Sequence, residues 1–321
     1  MMEKLVNFSA ARDNLANLIS LKWSEAESKE NLFKYKLNVT KSKVLPGYFG
    51  FYVELNPQRT QLRRKPQFIG SITPKFNPEA FNFNKVNPDE VLFVLQYKES
   101  LVSFLINNSP LTRNHCLVCP DLAENRPQML TEKSIELSLD LLDALGGRFY
   151  RIGYNSPGAL ASVNHLHLHV MLIERELYVE RAPLRELGKS IYTLEDKYPT
   201  CGLCLIVRHA DCAQQVSARV FRLVSFLCER NIPHNIFITS GAIGDEACKR
   251  ILIFPRDNRY LLKDKELSGL NVAFCELCSY VPVGSEEIYN GLTEDAIVGK
   301  IEEEMGNIFY TIKDEIVDMF Q

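Results

Sequence analysis

The chain has 321 residues, 46% hydrophobic and 24% charged, with 16 Gly and 15 Pro, which excludes disordered and collagen-like chains and leaves a globular protein of at most two or three domains. Its 37 basic and 40 acidic residues leave a net charge of −3, so there is no positive field to hold a polyanion against salt and no nucleic-acid partner is expected. Nine cysteines, an opening MMEKLVNFSAARD without an apolar core, and apolar runs no longer than those at 91–95 and 101–106 point to reduced thiols, a cytoplasmic setting and no membrane partner.

In chain order, an amphipathic helix is expected within 9–36, where Leu15, Leu18 and Ile19 have helical spacing and Trp23 lies. Tyr48 to Leu55 reads as an aromatic strand, and the polar, basic run from Asn56 to Lys65 as a loop. Pro74, Pro78 and Pro88 surround FNFNK at Phe81 to Lys85 and argue against regular structure there. A pattern then occurs twice. Ile135, Leu139 and Leu142 form a helical stripe stopped by Gly146 and Gly147, followed by a strand at 148–154, a Gly/Pro loop and an alternating strand at 165–173. Val216, Val220, Leu223, Val224 and Leu227 form a second stripe, followed by a strand at 234–239, the loop SGAIGDE and a strand at 250–254. We read this as an internal duplication with its boundary in the segment 184–200, where apolar periodicity fades. Residues 1–190 then form one half and 191–321 a second half without a histidine cluster.

Of six histidines, His165, His167 and His169 fall within five positions. On a strand these side chains share one face while Leu166, Leu168 and Val170 face the core, and packing alone is a poor reason for three imidazoles in a row. Two chemistries fit. Alternate imidazoles bind zinc, with a further His or carboxylate completing the site; or the middle imidazole attacks phosphorus while its neighbours position it, protonate the leaving oxygen and hold developing charge. Ser162, Asn164 and the small residues of NSPGALAS, whose backbone can approach a phosphate closely, favour the second.

Other candidates have plainer readings. Cys116/Cys119 and Cys275/Cys278 lie in strand-like segments where i and i+3 point apart, so they read as buried thiols; Cys201/Cys204 is the pair for which zinc stays open. Arg59, Arg63, Arg64 and Lys65 form the densest basic cluster, by default a solvated loop; a phosphate-bearing substrate would need such charge, and Arg59 is its candidate. Arg256 and Lys263 read as surface charge, and Glu174, Glu176 and Glu180 as solvated or helix-initiating groups.

NHLHLHVML (164–172) resembles the histidine-triad signature, and SPLTRNHCLVCP (109–120) is similar to the other segment of that superfamily, with Asn114 in place of the usual Gly. GYFGFYVELNPQR at 47–59, FNFNKV at 81–86, ASVNHLHLH at 161–169, PHNIFIT at 233–239 and NVAFCEL at 271–277 resemble the GDP-hexose phosphorylases, the animal GDP-D-glucose and plant GDP-L-galactose enzymes. The resemblance implies an α+β, duplicated histidine-triad-like fold, an antiparallel sheet in each half with flanking helices to one side, and a degenerate second half. It implies transfer of GMP from GDP-glucose to inorganic phosphate. His167 attacks the α-phosphorus, hexose 1-phosphate leaves, and phosphate then attacks the guanylyl-histidine to give GDP. His169 would be an acid or hydrogen-bond donor at the bridging oxygen, and His165 would orient the strand or His167. Ser162 and Asn164 would contact phosphate, and Asn82 and Phe83 base and ribose. His115 belongs to the supporting segment. The partners are GDP-hexose and phosphate, with no cofactor or metal implied and a homo-oligomer left open. A third His marks hydrolases in the superfamily, whereas sugar-nucleotide transferases more often carry Gln there. A nucleotide hydrolase is therefore the alternative, and a non-catalytic guanine-nucleotide sensor a third reading.

Overall fold

The computed structural model describes residues 4–62, 67–258 and 270–320; Arg63, Arg64, Lys65 and Lys263 lie outside the described residues. The chain runs β1 (Leu5–Asn7), α1 (Phe8–Ala11), α2 (Leu15–Glu27), β2 (Lys41–Val44), β3 (Tyr52–Leu55), α3 (Gln58–Leu62), β4 (Val91–Tyr97), β5 (Ser100–Ile106), β6 (Cys116–Pro120), α4 (Glu132–Leu145), β7 (Tyr150–Asn155) and β8 (Leu168–Leu172). It continues with α5 (Tyr178–Arg181), β9 (Leu184–Gly188), β10 (Ile191–Leu194), β11 (Leu203–Val207), α6 (Ala213–Glu229), β12 (His234–Ile243), β13 (Glu246–Pro255), β14 (Tyr280–Val283), α7 (Glu286–Gly291), α8 (Glu294–Met305) and α9 (Ile308–Met319).

The apolar stripes form the expected helices. Thr131 caps α4 by accepting the Ser134 N–H, and α4 ends at Gly146 with φ +57°, a left-handed position that glycine adopts without a Cβ penalty. Val216, Val220, Leu223, Val224 and Leu227 are the buried side of α6. The first helix is shorter than expected, with Leu15, Ile19 and Trp23 buried on α2. Where a loop was expected at Asn56 to Lys65, α3 adds a short helix. Part of SGAIGDE lengthens β12, which runs to Ile243.

The duplication is visible in the strand order. The 11-stranded sheet reads β1-β4-β5-β6-β8-β7-β12-β13-β11-β10-β9. Outward from the centre, β7-β8-β6-β5-β4 is mirrored by β12-β13-β11-β10-β9, with α4 and α6 in the same place in each chain segment. Instead of a separate sheet per half there is one, because β7 and β12 pair antiparallel from Asn155↔Asn235 to Arg151↔Thr239. Each would otherwise be an open edge of buried residues, and each covers the other. The segment of faded periodicity supplies the β9–β10 hairpin at one end of the sheet. One face of the sheet is packed by α2, α4, α6 and α9. The other carries the 3-stranded sheet β14-β3-β2 and α8. No helix among the described residues is long and apolar enough to cross a membrane.

One row of the sheet positions the site. Leu117 pairs with His169, His169 with Gly153, Gly153 with Phe237, Phe237 with Leu252, and Leu252 with Cys204. Counted from the central Gly153–Phe237 pair, Leu252 stands where His169 does, so the second copy has an apolar residue in place of an imidazole. Gly153 is required here because a Cβ would lie 2.3 Å from Cε2 of Phe274, whose ring packs 5.3 Å from that of His169. Gly153→Ala is therefore expected to lower unfolding free energy by about 2–3 kcal/mol through overpacking, measured by urea denaturation. A change under about 0.5 kcal/mol would show that Phe274 moves freely.

Candidate active site

The histidine cluster is not one strand. Pairing with β6 begins at Val118↔Leu168, so only His169 lies on β8. Side-chain and loop partners take over before it. The Leu166 N–H donates to the Arg126 carbonyl, and the His167 N–H to Gln128 Oε1 at 2.9 Å. These contacts hold His167 and His169 side by side, with ring centroids 5.2 Å apart, while His165 turns elsewhere.

Hydrogen-bond partners assign each ring's tautomer. The Phe83 N–H donates to His165 Nδ1 at 3.2 Å, so the proton is on Nε2, which lies 3.2 Å from the Leu122 carbonyl. His167 Nδ1 lies 2.8 Å from the His165 carbonyl, an obligate acceptor. His167 therefore carries its proton on Nδ1 and its lone pair on Nε2. The Leu111 N–H donates to His115 Nδ1 at 3.1 Å, which places the His115 proton on Nε2. Two groups lie near that proton, Asn107 Nδ2 at 3.1 Å and His169 Nδ1 at 3.0 Å. Asn107 is turned by the Ser109 N–H donating to its Oδ1 and presents a donor, so His169 Nδ1 accepts. His169 then carries its own proton on Nε2. A lone pair and a donor stand on adjacent rings, the first set from behind by a backbone carbonyl and the second by the His115 ring.

Burial keeps the supporting rings neutral. It pushes His115 down to about 3, with the charges of Arg59 and His167 adding to the effect. Burial also lowers His165 to about 4 against the opposing Leu122 carbonyl. It holds His169 well below the ordinary value, helped by His167 and His115. His169 therefore offers a hydrogen bond from a neutral ring.

His167 and His169 line a cleft of about 420 Å³, open solvent at its mouth included, with Ser162, Phe83, Phe81 and Asn107 on its walls. Phe83 is both wall and support: buried, it stacks on His165 at 5.7 Å and meets His167 edge-on at 5.0 Å. Arg59 on α3 donates from Nη1 to the Pro282 carbonyl and acts electrostatically on His115. Two expected ligand contacts hydrogen-bond within the chain. Asn164 accepts the Gln128 N–H at 3.0 Å and donates to the Lys75 carbonyl. Asn82 caps the turn at Phe83 through the Asn84 N–H and donates to the Ala80 carbonyl. The Asn82 contacts are local, as asparagine side chains favour, whereas those of Asn164 tie two distant loops together.

The remaining candidates sort by burial. Arg256 is a correction: it is fully buried, donating to Asn235 Oδ1 and the Val272 carbonyl and paired with Glu304 at 3.1 Å. Glu180 is buried too, accepting from Arg151, Thr239 and the Leu177 N–H that opens α5. Cys204 is buried, while Cys201 lies 3.1 Å from the Tyr310 hydroxyl. Cys275 and Cys278 are buried in a short 3-10 turn, not a strand. Gln128, fully buried behind His167, was missed; a lone Gln in the loop ENRPQM carries no sequence signal.

The model "GDPGP1-like, N-terminal domain" matches residues 14–171 and "GDPGP1-like, C-terminal domain" residues 173–320. Human GDP-D-glucose phosphorylase 1 is 36% identical, covering 85% of this chain and 74% of its own. The zebrafish (Danio rerio) protein of that name is 34% identical, with 86% and 82% covered. GDP-L-galactose phosphorylase 1 of Arabidopsis thaliana is 27% identical, with 91% and 71% covered. Among solved structures, yeast Ap4A phosphorylase Apa2 superimposes with a TM-score of 0.65 at 19% identity, covering 92% of this chain and 97% of its own.

The neutral histidines make stability depend on pH. His165 and His234, each near 4, and His115, near 3, all start from 6.5. Below pH 6.5 the unfolded chain therefore binds protons that the folded chain refuses, and stability falls as pH drops. Each ring contributes up to about 1.4 kcal/mol per pH unit. Urea midpoints measured from pH 7.5 to 5, above the carboxylate range, should be level above 7 and fall steadily below 6.5. A midpoint that holds or rises down to pH 5 would contradict burial of the rings as neutral groups.

Proposed function

We infer that this chain, which belongs to the GDP-D-glucose phosphorylase 1 family, transfers GMP from GDP-glucose to inorganic phosphate through His167. The observation that carries the mechanism is the Nδ1–H of His167 on the His165 carbonyl, which directs the Nε2 lone pair to attack. Nε2 attacks the α-phosphorus and the bond to the bridging oxygen breaks. Its electron pair leaves with glucose 1-phosphate, and GMP stays on nitrogen. The ring becomes cationic on bonding, and the carbonyl already accepting from Nδ1 stabilises that charge. His169 Nε2–H meets the bridging oxygen as its charge grows. An oxygen of inorganic phosphate then attacks the same phosphorus, the P–N bond breaks, and the electron pair returns to Nε2 with release of GDP.

The surroundings divide the remaining work. Ser162 lines the same cleft as both rings and supplies a hydroxyl to a phosphate oxygen. Arg59 supplies the positive charge that the neutral imidazoles lack. Phe81 and Phe83 give the cleft an aromatic wall for nucleoside. Asn82 and Asn164 act through the loops they hold.

With GDP-glucose labelled at the α-phosphate, the wild type is expected to give an acid-labile histidine adduct that His167→Ala does not form. An adduct persisting in that variant would sink the assignment. GDP release should require phosphate; release at the same rate without it makes the protein a hydrolase, and binding without adduct or turnover makes it a sensor. Rates on GDP-glucose, GDP-mannose and UDP-glucose, compared side by side, should favour GDP-glucose.

His169 supports a second prediction. If it acts as a neutral donor, His169→Gln should keep kcat within about tenfold of the wild type, whereas His169→Ala should lose about 100-fold. Equal losses in both variants would show that the ring must deliver a proton.

A further inference from the structure

His167 lies one residue before the ladder begins, so its backbone has no strand neighbour on the β6 side. A side chain stands in for that strand. Gln128 Oε1 accepts the His167 N–H at 2.9 Å, and its Nε2 donates to the His167 carbonyl at 3.2 Å and to the Asn155 carbonyl at 3.0 Å. The amide thus pairs with both backbone groups of one residue and ties that residue to the last residue of β7. Gln128 is itself fixed, with its N–H on Asn164 Oδ1 and its carbonyl accepting from the Tyr154 hydroxyl at 2.9 Å. It is fully buried and absent from the cleft wall, so it reaches substrate only through His167.

The support continues into the second half. Asn155 Oδ1 accepts from Asn235 Nδ2 at 2.6 Å, and Asn235 also donates to the Ala159 carbonyl. Asn235 Oδ1 in turn accepts from Arg256, which is paired with Glu304. We propose that Gln128 is a positioning residue that sets the aim of His167, and that Asn235 and Arg256 extend the same buried chain, so the second half holds the nucleophile it does not contain. The proposal rests on the reading of His167 as nucleophile.

A nucleophile must meet phosphorus in line, and a misplacement near 1 Å can cost about 100-fold. Gln128→Met keeps length and volume but removes every hydrogen bond of the amide. Without phosphate, GDP-glucose should give a burst of one glucose 1-phosphate per site. Burst amplitude counts correctly folded sites, whereas its rate constant at saturating GDP-glucose reports the attack. Gln128→Met is expected to slow the burst about 10- to 100-fold, with amplitude per folded protein and KM within about threefold of wild type. Asn235→Asp, which keeps shape and the contact to Arg256 but loses both donors, should slow it about 3- to 10-fold and serves if the first variant does not fold. A wild-type burst rate in either folded variant overturns the proposal, as does a loss confined to amplitude. No burst in the wild type instead removes the nucleophile reading on which it rests.

Discussion

The pairing of β7 with β12 is the constraint on which the rest depends. It closes two half-sheets into one and fixes the register that sets Gly153 opposite Phe237 and beside His169. The bare backbone at Gly153 admits Phe274, a residue of the second half, against the histidine ring. The same pairing brings Asn235 to Asn155, from which polar contacts run to Gln128 and His167. A half without a histidine cluster thus contributes packing and bracing to the histidine rings of the other half. Duplication followed by loss of one site leaves such an asymmetry, because the sheet needs both halves while the chemistry needs one.

The second constraint is polarity fixed by neutral groups. Backbone N–H and C=O groups cannot change tautomer, so a ring paired with one has its proton assigned. His165, His167 and His115 are each set in this way, and His169 inherits its state from His115. Burial makes the charged form of the supporting rings costly, which preserves these assignments through the physiological range. Neutral rings offer a diphosphate no positive charge, and Arg59, half-exposed on α3, acts electrostatically on His115.

How much was legible in the sequence follows from where each partner lies in the chain. The stripes of α4 and α6, the stop at Gly146 and the alternation of Leu168 and Val170 against His169 are local patterns, and they survive in the fold. The repeat of helix, strand, loop and strand was visible too, but not the mirrored strand order, since pairing partners such as Gly153 and Phe237 are far apart in sequence. Residues misread on their own were those whose partners come from elsewhere. Arg256 looked like surface charge because nothing nearby announces Glu304 on α8 or Asn235 on β12. The side chain of Asn164 meets the Gln128 N–H, a partner in another loop that nothing around Asn164 announces. Even the triad was legible only as alternation; the ladder stops at Leu168, and a glutamine with no motif around it carries the chain through His167.

The identity of residue 169 shows why residue type alone misleads about chemistry. In the superfamily a third histidine accompanies hydrolases and glutamine the sugar-nucleotide transferases, a contrast that suggests a proton donor against a mere hydrogen-bond donor. Here the Nδ1 of His169 is occupied by the His115 proton, and burial disfavours the imidazolium. What remains facing the cleft is a single neutral N–H, chemically close to what a glutamine amide offers. A leaving phosphate oxygen is a weak base and gains more from such a fixed donor than from a full proton. Residue 169 therefore does not by itself decide whether water or phosphate takes the guanylyl group; a positive charge beside the adduct would, because it raises the local concentration of phosphate and does nothing comparable for water.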